Sequence, residues 1–216
     1  MNGYPIMLDL KDKPVLIAGG GAVAERKAAA LLEAGGDVTV VAPSVSPRLR
    51  EWADRGRIRL AEREAREEDL AGAALFFAAT DDAEANRRLA EAARARGVWT
   101  NVGTDGEAGD FVTPAVVRRG DLVLAVSASA AGPALAARVA RELGQRYGPD
   151  YAHAAAVLRA VRRAAKACVG DAAERRRLLA ASATDEALAM WREASPDEPP
   201  ERLVERLRQL PGHAEG

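Results

Sequence analysis

Three consecutive glycines, Gly19, Gly20 and Gly21, separate the apolar run "PVLIA" from the alanine-rich segment "AVAERKAAALLEAGG". Gly19, Gly21 and Ala24 fit the pattern G-x-G-x-x-A between a strand and a helix. Each position has a physical reason. Gly19 permits a tight turn, Gly21 lets backbone approach a phosphate, and Ala24 lets helix and strand pack closely. The first helical residues, Ala22, Val23 and Ala24, then present backbone N–H groups that no earlier carbonyl can satisfy, and these suit a pyrophosphate. A tight turn without any ligand is the alternative reading. The acid that would accept the ribose hydroxyls should fall near residues 41–44, where "VAPS" holds none; Pro43 and Ser44 occupy that place. No arginine follows directly to receive a 2′-phosphate, so the turn leaves NAD and NADP undecided.

Other residues qualify on type and position. Thr80 and Asp81 close the apolar run "ALFFAAT", at the strand edge where such sheets bind ligands, and Asp81 or Asp82 could instead cap the following helix. Arg118, Arg119, Arg138, Arg141, Arg162, Arg163 and Lys166 enrich the second half in cations, which is also the pattern of a solvated helix face. His153 and His213 with the single Cys168 make a His and Cys zinc site improbable and rule out an internal disulfide, so no metal-ligating residues are singled out and any metal chemistry is expected to rely on oxygen ligands or on the substrate itself. Trp52, Trp99 and Trp191 are too widely separated for a stacking platform and suit core or interface anchoring.

The elements that would position these residues follow from periodicity. "PVLIAG", "DVTVVAP", "RIRLAE", "ALFFAAT" and "GVWTNV" read as short strands. "AERKAAALLEAG" and "DAEANRRLAEAARARG" read as helices between them. This alternation predicts a parallel, doubly wound sheet of the Rossmann type over 1–112. From Asp110 the pattern changes. "DFVTPAVVRRGDLVLAVSAS" holds two strand-like runs around the hairpin signal "RRGD", giving a strand-containing central module over 113–147. The rest, 148–216, reads as a helical C-terminal domain, with breaks at "YGPD" and "SPDEPP". With 31 basic and 32 acidic residues and 48% apolar content, the chain has the profile of a soluble globular protein; nucleic acid is not an expected partner. No basic leader or membrane-length apolar run is visible, so no membrane association and a cytoplasmic location are expected.

Taken together, "YPIMLDLKDKPVLIAGGGAVAERKAAALLEAGGDVTVVAP", "FFAATDD...N", "TNV", "DFVTPAVVRRGDLVLAVS" and "GPALA" resemble the N-terminal module of siroheme synthases and the stand-alone precorrin-2 dehydrogenases, from about Tyr4 to Arg146. The resemblance implies NAD-dependent oxidation of precorrin-2 to sirohydrochlorin and, in bifunctional members, insertion of ferrous iron. It implies a homodimer formed through the central module, and Asn101 and Val102 near the nicotinamide. It also implies delivery of the substrate by a separate methyltransferase. Precorrin-2 carries eight carboxylates, so Arg138 and Arg141 are candidate substrate ligands, with Ser127 and Ser129 for a propionate. The family's acid/base Asp, two residues after the "NV" pair, is replaced by Thr104, and Asp105 follows. A carboxylate can act as general base where a threonine hydroxyl cannot, which makes Asp105 the candidate, with a simple turn residue as its alternative. A dinucleotide-binding sensor without catalysis and a tetrapyrrole-delivery scaffold are the competing functional readings.

Overall fold

The computed structural model describes residues 3–103, 108–128 and 131–210. They form two compact units, 1–113 and 114–216. In the first unit the apolar runs become strands because they are buried on both faces, as a parallel sheet covered by helices requires. Among the described residues the sheet has five strands in the order β3-β2-β1-β4-β5: β1 Pro14–Ala18, β2 Asp37–Val41, β3 Arg59–Ala61, β4 Leu75–Ala78 and β5 Trp99–Val102. All four pairings are parallel, with Ala18 level with Val41 on one side and Ala78 on the other.

Strand alternation divides the core between two layers. Val15, Ile17, Val38, Val40, Leu75 and Phe77 face α1 (Ala22–Glu33) and α2 (Pro47–Asp54), where Ala24, Ala28, Leu31, Leu49 and Trp52 meet them. Leu16, Ala18, Phe76 and Ala78 face α3 (Ala83–Ala95), whose Leu89, Ala90 and Ala93 pack against them. Phe76 and Leu89 are almost fully buried, and each such side chain contributes roughly 1.5–3 kcal/mol on leaving water. Helix α1 stops where Gly35 turns into the left-handed region at φ +78°, a conformation that favours glycine. Helix α2 and the short 3-10 turn Glu67–Leu70 occupy connections that the sequence pattern left without elements.

The second unit begins with the expected hairpin. β6 (Ala115–Arg119) and β7 (Leu122–Val126) pair antiparallel around Gly120, which sits at φ +56°. Pro133 opens α4 (Pro133–Arg146) and α5 covers Asp150–Cys168, so the break at "YGPD" lies where it was expected. Arg119, one of the candidate cations, instead donates to the Gly144 and Tyr147 carbonyls at 2.9 Å each and so closes the end of α4. Helices α6 (Ala172–Ala181), α7 (Asp185–Glu193) and α8 (Pro200–Gln209) pack on α5 around Val157, Val161, Leu178, Trp191, Leu203 and Leu207. Two breaks beyond the expected ones separate α5 from α6 and α6 from α7. Asp171 and Thr184 cap the new helices by accepting from Glu174 N at 2.6 Å and Ala187 N at 3.2 Å. Cys168 is exposed at the end of α5. His153 packs as a helix residue would, with Nε2 2.8 Å from the Ala194 carbonyl oxygen. The hairpin, α4 and the later helices belong to this one unit, 114–216.

Candidate dinucleotide site

The three glycines have different reasons to be glycine. Gly19 adopts φ +122°, and a Cβ there would lie 2.2 Å from the Ala79 carbonyl oxygen. Gly20, to which the sequence pattern gave no role, would place a Cβ 2.0 Å from the Ser44 carbonyl oxygen. Its own carbonyl accepts from Ser46 N at 2.8 Å, which ties the turn to the β2–α2 loop. Gly21 has an ordinary extended conformation, φ −84° and ψ −169°, and among the described residues a Cβ would meet nothing within 4 Å. Protein packing accounts for Gly19 and Gly20 but not for Gly21. The open space at Gly21 is what a pyrophosphate approaching the backbone needs. Gly21 caps α1 without a side-chain hydrogen bond, and among the described residues the first helical bond runs from Glu25 N to Gly21 O at 3.0 Å. The N–H groups of Ala22, Val23 and Ala24 therefore start the helix as free donors. Ala24 is fully buried, in keeping with close helix–sheet contact.

This turn lies between β1 and its neighbours at the carboxyl ends of the strands, where the order reverses from β2 to β4 and ligands enter doubly wound sheets. Pro43 and Ser44 are exposed just beyond β2. Beyond β4, Asp82 caps α3 by accepting from Glu84 N at 2.8 Å and Ala85 N at 3.0 Å, while Asp81 is exposed. Thr80 is held by Asn86, a fully buried amide. Asn86 Oδ1 accepts from Thr80 N at 3.2 Å and Thr80 Oγ1 at 2.7 Å, and Asn86 Nδ2 donates to Thr80 O at 3.0 Å. The Thr80 hydroxyl is thus engaged inside the protein, and its loop is fixed beside Gly19. Asn86 has a function that the sequence pattern did not assign; its signal is an amide on the buried stripe Asn86, Leu89, Ala90, Ala93 of α3.

At the end of β5, Asn101 and Val102 are buried, and Asn101 Nδ2 donates to the Phe111 carbonyl at 2.9 Å. Gly103 N bonds Ala78 O at 2.9 Å. Asp110 closes the far side of the loop: its carboxylate accepts from Thr100 N at 2.9 Å and lies 3.3 Å from Arg94 Nε. Phe111 meets Phe77 edge to face at 5.4 Å, and Lys27 sits over the same Phe77 ring while donating to Thr113 Oγ1. Burial, and then the neighbouring Arg26, hold the Lys27 ammonium below the usual lysine range. The ends of the 103–110 loop are fixed, but the candidate catalytic residues Thr104 and Asp105 lie outside the described residues. So does Ser129. In the second unit Ser127 is exposed after β7, Arg138 is 3.0 Å from Glu142, and Arg141 is exposed on the same helix. Among the described residues no group of three or more His, Cys, Asp or Glu side chains could hold a metal ion, and no helix is long and apolar enough to cross a membrane.

A parallel sheet of this order, with an open glycine at its reversal point, defines a Rossmann-type dinucleotide-binding protein. An NAD(P)-binding family model matches residues 6–115. A siroheme synthase of Chromobacterium violaceum is 39% identical over 177 residues, 82% of this chain and 38% of that protein. Siroheme synthase 3 of Aeromonas hydrophila is 38% identical over 200 residues, 90% of this chain and 42% of that protein. The solved structure of SirC, a precorrin-2 dehydrogenase, superposes with a TM-score of 0.78 at 27% identity, covering 96% of this chain and all of that one. The chain belongs to this NAD(P)-binding family of siroheme synthases and precorrin-2 dehydrogenases. Membership bears out the expected fold and, at the level of NAD(P), the expected NAD cofactor. The chain spans about two fifths of the length of the siroheme synthases it matches.

Proposed function

We propose that the chain is an oxidoreductase of siroheme biosynthesis that oxidises precorrin-2 to sirohydrochlorin with NAD. The observation that carries this reading is its likeness to a precorrin-2 dehydrogenase over nearly the whole chain, with a turn open at Gly21 for a pyrophosphate. NAD supplies the hydride acceptor. Gly21 and the N–H groups of Ala22, Val23 and Ala24 bind the pyrophosphate, Gly19 shapes the turn, and Pro43 and Ser44 face the adenosine ribose. Thr80, Asp81, Asn101 and Val102 border the nicotinamide half. Thr80 borders that half through the shape of its loop, because its hydroxyl, N–H and carbonyl are all engaged with Asn86. Arg138, Arg141, Ser127 and Ser129 bind substrate carboxylates. Asp105 takes the proton that leaves as hydride departs, since Thr104 cannot.

Ferrous iron insertion and a homodimer belong to the same reading. The two-stranded β6–β7 sheet supports the dimer: it has two edges and an exposed Val116, and a second copy would cover them. The cytosol is the proposed compartment. A sensor without catalysis is favoured by one observation, Thr104 at the family's Asp position. Anaerobic incubation with precorrin-2 and NAD, followed by absorbance, tests the proposal: the sirohydrochlorin spectrum is expected to develop. Tight NAD binding without turnover would identify a sensor, and absence of NAD binding would leave only a scaffold.

A further inference from the structure

The end of β2 lacks the acid that usually selects against a 2′-phosphate, yet a carboxylate reaches that loop from another element. Glu25, in the first turn of α1, accepts from Ser46 Oγ at 2.6 Å, and Arg48 Nη1 lies 3.6 Å from its other oxygen. Ser46 is tied to the glycine turn through its N–H bond to Gly20 O and caps α2 through its hydroxyl, which accepts from Leu49 N at 3.3 Å. The Glu25 carboxylate is therefore held against the loop that carries Pro43 and Ser44, through Ser46, with only 26% of its side chain exposed. Arg48 is the one cation in "APSVSPR", residues 42–48. Its guanidinium lies between Glu25 and the face of Trp52, 4.9 Å from the ring centroid.

We propose that Glu25 is the residue that sets a preference for NAD over NADP. Its negative charge repels a 2′-phosphate, and its pairing with Arg48 engages the cation that would otherwise receive one. The inference rests on the NAD reading above and adds a residue to it. Cofactor choice is thus made from α1, across the glycine turn, and not from the end of β2.

The test is direct binding of NADH and NADPH to the whole chain, read from the fluorescence of the reduced nicotinamide. The unmodified protein is expected to favour NADH. Glu25→Gln keeps an acceptor for the Ser46 hydroxyl but removes the charge, and should tighten NADPH about tenfold, the scale of one charge at a partly exposed site, with NADH changed less than about threefold. Glu25→Ala should move the ratio in the same direction. Adding Arg48→Ala to Glu25→Gln should reverse the part of the gain that the released Arg48 supplies and leave the part due to the lost repulsion. An NADH to NADPH ratio unmoved in both Glu25 variants, with circular dichroism of the folded chain retained, overturns the assignment while leaving the NAD reading intact. An unmodified protein that binds neither nucleotide overturns the NAD reading itself and this inference with it.

Discussion

Alanine placed in turn at Gly19, Gly20 and Gly21 separates folding from binding within three residues. At Gly19 the new Cβ would lie 2.2 Å from the Ala79 carbonyl oxygen, on a backbone at φ +122°. Overpacking of about 1–3 kcal/mol and about 1–2 kcal/mol for the positive φ add to about 2–5 kcal/mol. At Gly20 the 2.0 Å approach to Ser44 O also meets backbone, which cannot rotate away, so the cost is again about 1–3 kcal/mol or more. At Gly21 nothing lies within 4 Å among the described residues, and φ −84° suits alanine, so stability should stay within about 0.5 kcal/mol. With about 4 °C lost per kcal/mol for a unit near 100 residues, Gly19→Ala should melt roughly 8–20 °C lower and Gly21→Ala within about 2 °C of the parent. NADH binding should separate the variants differently. Gly21→Ala should weaken it at least about tenfold, and Gly21→Asp, which adds charge beside the pyrophosphate, at least about a hundredfold. Thermal unfolding by circular dichroism and NADH fluorescence titration read the two effects. Full NADH affinity in a folded Gly21→Asp would refute the reasoning, and so would a Gly21→Ala as unstable as Gly19→Ala.

Asn86→Leu should leave the Thr80 N–H and carbonyl without partners, costing about 2–4 kcal/mol in thermal unfolding, and Asn86→Asp, which keeps both acceptor contacts but sets a buried carboxylate against the Thr80 carbonyl, should also destabilise; an unchanged melting temperature in either variant would contradict the role given to the amide. Charge-neutral replacement of both Arg138 and Arg141 should raise the apparent precorrin-2 constant more than it lowers saturated turnover, and the effect should shrink at high salt; a turnover defect alone would point to packing or the dimer. Asp105→Ala should lower dehydrogenase activity by about 10²-fold or more, and Thr104→Asp should raise iron insertion; full activity of Asp105→Ala in both assays would remove Asp105 as the base. The lowered pKa of Lys27 means that, between that value and the usual 10.5, the folded chain binds fewer protons than the unfolded one, so stability should rise with pH across that interval. Lys27→Met should flatten the rise in a pH series of melting curves, and an unchanged slope would dismiss the half-buried ammonium as its source.

The sheet was legible because β1, β2 and β4 are short apolar runs next to glycine or a turn signal, and a run buried on both faces needs no alternation to be recognised, whereas β3 at the edge shows alternation in "RIRLAE". The turn was legible in Gly19, Gly21 and Ala24, but Gly20 was not: its constraint is the Ser44 carbonyl, 24 residues away in sequence, which no local pattern displays. Asp82 followed its capping alternative because two N–H groups of α3 point at it. Thr80 could be placed at a strand end, whereas the engagement of its hydroxyl depended on Asn86, visible only as a polar residue on an apolar stripe. The breaks before α6 and α7 carried capping signals, Asp171 three residues before Glu174 and Thr184 before an acidic first turn, hidden by the helix-forming alanines around them. Arg119 looked like any other cation of a hairpin, because its acceptors are carbonyls 25 and 28 residues further on. The carboxylate beside the β2–α2 loop is invisible in the residues that follow β2, because Glu25 reaches that loop from α1.

The most direct test of the account is the stoichiometry of nicotinamide reduction during anaerobic turnover of precorrin-2 without iron. One NADH should appear for each sirohydrochlorin formed, and a folded Gly21→Asp should form neither. Sirohydrochlorin accumulating without NADH, or at an undiminished rate in Gly21→Asp, would contradict the claim that the glycine turn holds the oxidant.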